Sequence, residues 1–153
     1  MAATPQRAEA GEEVRPSLTI KRRLKVSPEK IFAAWTDPEK IKQWWGPSGM
    51  TAFLAEVDPR IGGRFRVAMK GADGEVHDVS GIYKEFVPNE KIVMSWAWIS
   101  TPERESQLTI TVKADGAETI LTLLHERFAD VKARDDHHGG WTEALDKLVA
   151  VYS

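Results

Sequence analysis

Residues 130–152, DVKARDDHHGGWTEALDKLVAVY, decide how the fold is read. Arg134, His137, Trp141, Leu145, Leu148 and Tyr152 recur every three or four positions, so they share one face of an amphipathic helix. Asp130 is a natural N-cap, and the helix that it starts runs to about 20 residues, long by globular standards. Gly139 and Gly140 interrupt its middle, each at about 1 kcal/mol relative to alanine. Such a pair implies that the backbone either approaches a neighbouring layer closely or leaves room beside it. Close packing is the expected reason.

The layer to be covered lies upstream and alternates with a period of two. Leu18, Ile20, Leu24 and Val26 alternate with Thr19, Lys21, Arg23 and Lys25, a half-buried strand with Arg22 on its apolar side. Ser27-Pro28 and Asp37-Pro38 each pair an N-cap with proline at the first helical position, which predicts two short helices. Trp44-Trp45 is the bulky aromatic end of the second, and Gly46-Pro47-Ser48-Gly49 turns the chain. Ala52–Val57 is the next strand. Gly62-Gly63 feeds an alternation of Phe65, Val67 and Met69 with arginines. Val79, Gly81 and Tyr83 follow on a further strand. Ile92, Met94, Trp96 and Trp98 share one strand face, and two alternating strands through Leu108, Ile110 and Val112, then Leu121, Leu123 and His125, complete an antiparallel meander. One long helix must therefore cover a wide curved sheet.

Composition narrows the functions. Length, 153 residues, fits one domain. With 42% hydrophobic and 29% charged residues the chain is an ordinary globular one. A net charge of −2 offers no electrostatic basis for binding nucleic acid or an anionic membrane. The absence of cysteine removes disulfides and thiolate chemistry and fits a cytoplasmic protein. Residues 1–16 contain no apolar run and read as a flexible tail ahead of a domain over 17–153, with no membrane span.

Four ordered blocks resemble one family. They are Ala34-Trp35-Thr36-Asp37-Pro38-Glu39 through Gln43-Trp44-Trp45-Gly46-Pro47; Asp58-x-Arg60-x-Gly62-Gly63-x-Phe65; Gly81-x-Tyr83; and His137-x-x-Gly140-Trp141. Their order and spacing are similar to those of the activator of heat-shock-protein-90 ATPase homologues, within the START-like (SRPBCC) superfamily that includes the birch-pollen allergen. The resemblance implies an α+β helix-grip fold: a seven-stranded curved antiparallel sheet around a C-terminal helix, two short helices after the first strand, and a hydrophobic cavity between. The superfamily includes lipid and polyketide binders, cyclases and co-chaperone domains, so the fold implies no single activity.

The expected cavity wall comprises Phe65, Val67, Met69, Tyr83, Met94, Trp96, Trp98, Leu108, Ile110, Leu121, Leu123 and Trp141, with His125, His137 and Arg22 as polar groups at its margin. A buried guanidinium needs a carboxylate or a ligand anion, and Glu56 and Glu126 are the candidate partners of Arg22. His137 and the adjacent His138 point in different directions on a helix, and no ligand spacing completes a metal site. No cofactor motif is present: there is neither a phosphate loop nor a Gly-x-Ser-x-Gly elbow. Three readings stand. The leading one is a non-catalytic protein, a monomer or weak dimer, holding a small hydrophobic or amphipathic molecule. The second is a co-chaperone-like interaction module with a chaperone as partner. The third is a cavity enzyme of cyclase or hydrolase type using His125, His137 or Tyr83.

Overall fold

Ser27 and Asp37 start the two short helices as their side chains require. In the computed structural model, which describes residues 15–152, helix α1 (Pro28–Thr36) has Ser27 as its N-cap and helix α2 (Pro38–Trp44) has Asp37. Asp37 serves both: its N–H closes α1 on the Ala33 carbonyl at 2.8 Å while its carboxylate accepts the Glu39 N–H at 2.9 Å. Strand β1 (Leu18–Leu24) precedes them. After them come β2 (Met50–Val57), β3 (Arg64–Gly71), β4 (Val76–Val87), β5 (Lys91–Trp98), β6 (Ser106–Asp115), β7 (Glu118–Glu126) and helix α3 (Val131–Val151). The expected tail over residues 1–16 lies, as far as residue 14, outside the described residues.

The seven strands form one antiparallel sheet in the order β1-β7-β6-β5-β4-β3-β2. Strands β2 to β7 are a meander, and β1 joins its far edge, with Leu18 opposite His125 and Leu24 opposite Thr119. Strand β2 begins two residues earlier than the pattern suggested, at Met50, and β1 stops short of Val26. Gly81 is required by close approach. A Cβ there would collide with the Ser95 carbonyl and the Phe65 ring, because the backbone of the paired strand β5 lies close against β4 at that point.

One face of the sheet and one stripe of α3 make the core. Trp141, Ala144, Leu145 and Leu148 of α3 are buried, as are Phe65, Val67, Met94, Leu108, Ile110, Leu121 and Leu123 of the sheet. The close packing expected at the glycine pair is not found. A Cβ on Gly139 would meet nothing within 4 Å, and one on Gly140 would meet only the Pro47 side chain, at 3.6 Å. These glycines leave room beside the helix instead of bringing two backbones together.

Two substitutions check this arrangement. Gly139→Ala is expected to stabilise the protein by about 1 kcal/mol, since helix propensity rises without a clash. Trp141→Ala is expected to cost roughly 3–5 kcal/mol. Urea denaturation of both variants measures the two changes.

Candidate ligand pocket

Three segments meet where Gly140 leaves space. The turn after α2 brings Trp45, Gly46, Pro47 and Met50; the sheet brings Met69, His77, Trp96 and Trp98; α3 brings Asp136, His137, Gly140, Trp141 and Ala144. They enclose a pocket of about 410 Å³, within the size range of small-molecule sites. Its walls are an aromatic cluster. Trp45 stacks on Trp96 at 5.8 Å, Trp141 lies 5.2 Å from Trp96 and 5.5 Å from Trp45, and Trp98 meets Trp96 edge-on at 5.6 Å. Trp35 and Trp44 extend the cluster behind Trp45.

The α2–β2 turn is fastened to α3. Ser48 N–H donates to the Glu143 carboxylate at 2.9 Å, and Lys147 Nζ donates to the carbonyls of Met50 and Pro47 at 3.2 and 3.4 Å. Burial lowers the pKa of Lys147, opposed by Glu143. Gly46 and Gly49 hold positive φ of 103° and 85°, a backbone form that glycine adopts at little cost.

Behind the aromatic wall the two inward histidines are fully committed. Trp141 Nε1 donates to His125 Nδ1 at 3.0 Å, so the His125 proton resides on Nε2, which reaches Ser106 Oγ at 2.7 Å. Ser106 Oγ in turn donates to the Trp96 carbonyl at 3.4 Å. This is the wrong tautomer for activating a serine, because Nε2 has no lone pair to take the hydroxyl proton. His137 Nδ1 donates to the Ala133 carbonyl at 2.7 Å, and its Nε2 accepts from Trp98 Nε1 at 2.9 Å. Burial pushes both imidazoles below their ordinary pKa, His125 the more strongly, with His137 adding to the effect there. The Tyr83 phenol is pushed upward by burial and stays protonated. Neither imidazole offers a free base to the pocket.

A second hollow, of about 360 Å³, shares Trp96, Trp98, Asp136 and His137 with the first. Thr101, Arg104, Phe128 and Lys132 line its other side. Its charges are paired: Arg104 with Asp130 at 3.2 Å and Lys132 with Asp136 at 2.8 Å.

Of the residues expected to line the cavity, Met69, Trp96, Trp98, His137 and Trp141 do so. Phe65, Val67, Tyr83, Met94, Leu108, Ile110, Leu121, Leu123 and His125 do not line this pocket; they are packed into solid core, because facing side chains fill the middle of the sheet. Arg22 is corrected too. It sits at the sheet edge with its side chain 26% exposed and pairs with Asp146 of α3 at 3.4 Å, not with Glu56 or Glu126. Trp45, Gly46, Pro47, Met50 and His77 were not foreseen in the wall. The Trp-Trp-Gly-Pro run was their visible signal, but it marks a helix end equally well. Among the described residues no group of three or more His, Asp or Glu side chains could hold a metal ion, and no helix is long and apolar enough to cross a membrane.

A curved seven-stranded antiparallel sheet gripping a C-terminal helix, with a pocket beside the middle of that helix, defines a helix-grip protein of START-like type. Within that class, residues 25–153 match the model of the family described as activator of Hsp90 ATPase homolog 1-like protein, and the chain belongs to that family. Its sequence is 29% identical over 107 residues to the human activator of 90 kDa heat shock protein ATPase homolog 1, a match covering 69% of this chain but 28% of the human protein. A Chromobacterium violaceum protein superposes with a TM-score of 0.81 at 26% identity, covering 90% of this chain and 97% of its own. The AHSA1 protein of Silicibacter pomeroyi gives 0.78 at 30% identity, covering 88% and 96%. An HSP90 activator from Plasmodium falciparum shares the fold, with a TM-score of 0.69 at 24% identity and coverage of 88% and 94%.

The buried neutral imidazoles set a pH dependence. A histidine whose folded pKa lies below its unfolded value of 6.5 contributes stability that is complete above that value. That stability is lost as pH falls through the folded pKa, with a limiting slope of about 1.4 kcal/mol per pH unit for each group. Urea midpoints are expected to fall between about pH 7.5 and pH 5.5, and His137→Gln to flatten that fall.

Proposed function

We propose that this protein is a non-catalytic binder of a small, largely apolar molecule held in the aromatic pocket between the α2–β2 turn, β5 and α3. The observation that carries this reading is a space of about 410 Å³ walled by Trp45, Trp96, Trp98, Trp141, Met50 and Met69, kept open by the bare face of Gly140. Filling it by elongating one side chain would be chemically simple, yet the helix keeps glycine there at a cost in propensity. Commitment of both nitrogens of His125 and of His137 supports binding over acid–base catalysis.

A second reading, a chaperone-interaction module, is favoured by the 29% identity to the human activator. On that reading the pocket is incidental and an outer surface engages the chaperone.

Titration with N-phenyl-1-naphthylamine, an uncharged apolar fluorophore, separates the two. Saturable emission enhancement at a stoichiometry of one is expected. Gly140→Leu, which extends a side chain into the pocket, is expected to weaken binding at least about tenfold without loss of thermal stability. Absence of saturable binding, together with stimulation of a heat-shock-protein-90 ATPase by the same preparation, would replace the first reading with the second.

A further inference from the structure

Trp98 and His137 stand between two hollows. Both residues, with Trp96 and Asp136, line the aromatic pocket on one side and the more polar hollow on the other. The sheet side of this wall is tied to the helix side by the hydrogen bond from Trp98 Nε1 to His137 Nε2, at 2.9 Å. That bond needs a neutral imidazole. With Nδ1–H donating to Ala133, the Nε2 lone pair is the acceptor. A proton on Nε2 sets one N–H against another, and the attraction becomes a repulsion.

We propose that His137 is a proton-operated latch on this wall: protonation releases Trp98 and joins the two hollows into one elongated site, which then accepts a longer amphipathic molecule. This rests on the reading of the aromatic pocket as a ligand site. The apolar chain would occupy the tryptophan-lined part, and its polar end would lie toward Thr101, Arg104 and Lys132.

The surroundings of His137 set the sign. On its own helix, Asp136 favours the imidazolium, but Lys132 holds that carboxylate at 2.8 Å. From β7, His125 lies 5.2 Å away, ring to ring, and is held neutral by burial. From β4, His77 reaches the far side of Trp98 and pairs with Glu75 at 3.0 Å. Arg104 and Asp130 neutralise one another across the second hollow. Phe128 covers the ring at 4.9 Å. Burial is the largest effect and depresses the pKa of the closed form, so the closed wall binds fewer protons than an open one. Closure is therefore favoured above the ordinary histidine value and lost as pH falls below it.

The test is a series of 1-alkanols from hexanol to dodecanol, competing with N-phenyl-1-naphthylamine for the full-length protein at about pH 7.5 and pH 5.5. Neither probe titrates in this range. Each methylene that enters an apolar site tightens binding about fourfold. At the higher pH the gain is expected to stop at the chain length that reaches the wall. At the lower pH it is expected to continue through several further methylenes. Trp98→Phe, which lacks the indole N–H, should show the long series at both pH values, and His137→Gln the short series at both. His77→Gln is the control for the imidazole on the other side of Trp98. Should either variant misfold, the Trp98 indole N–H resonance of the unmodified protein must shift with the same apparent pKa as the change in chain length. A break point that stays fixed with pH while the fluorophore still binds overturns the latch alone. Failure of the fluorophore to bind overturns both the latch and the pocket reading beneath it.

Discussion

Trp141 is the contact on which the rest of the structure depends. It is the point where all three layers touch: its indole packs against Trp96 of the sheet, Trp45 of the α2–β2 turn and Trp35 of α1. A ring of this size at the centre of α3 fixes the distance between helix and sheet, and its N–H fixes the tautomer of His125 behind it. With that spacing set, the smaller residue one position before it, Gly140, cannot reach across. A gap then follows on that side as a matter of geometry. Below Trp141, Leu145 and Leu148 are fully buried and the sheet closes on them without space. The same helix is thus docked tightly along its C-terminal half and stands clear at its middle.

The four sequence blocks divide by what they do. Asp58, Arg60, Gly62 and Gly63 build a turn that docks on β4, where Gly62 N–H meets the Tyr83 carbonyl and Tyr83 N–H meets the Gly63 carbonyl. Arg60 is held to Asp58 by its Nε, at 2.9 and 3.0 Å from the two carboxylate oxygens. Gly81 permits the close approach of the β5 backbone to β4. These two blocks pack the sheet together and take no part in the pocket. The Trp-Trp-Gly-Pro and His-x-x-Gly-Trp blocks supply the part of its wall that faces the sheet residues Met69, His77, Trp96 and Trp98. Family resemblance therefore reports on two different demands, strand packing and cavity, that the sequence alone presents in the same form.

Most of the architecture was legible because each element carries its own local physics. Ser27 and Asp37 satisfy orphan helix N–H groups within their own turns, and the alternation of Phe65, Val67 and Met69 with charged neighbours needs no knowledge of the partner strand. The pocket was less legible, for a physical reason. Period-two alternation states which side chains point inward but not whether another side chain meets them. Phe65, Leu108 and Trp96 share the inward-facing pattern, yet only Trp96 borders a space. Arg22 was misplaced for the same reason: its partner Asp146 is 124 positions away on α3, at a distance that only the docking of helix on sheet determines.

The pairing of β1 with β7 has a consequence for the way the chain is made. Leu18 bonds across to the level of His125, so the first strand is joined to the last. The meander from β2 to β7 closes through short turns, each costing little loop entropy, whereas β1 must wait for β7, its register running from Leu18 opposite His125 to Leu24 opposite Thr119. On a ribosome that partner emerges only after strands β2 to β6. Helix α2 has α1 and β2 close by in sequence to pack on, but the face of α1 that meets β6 and β7 has no partner until those strands are made. Leu18, Ile20 and Leu24, the buried side chains of β1, are thus among the apolar groups left longest without the partners that cover them.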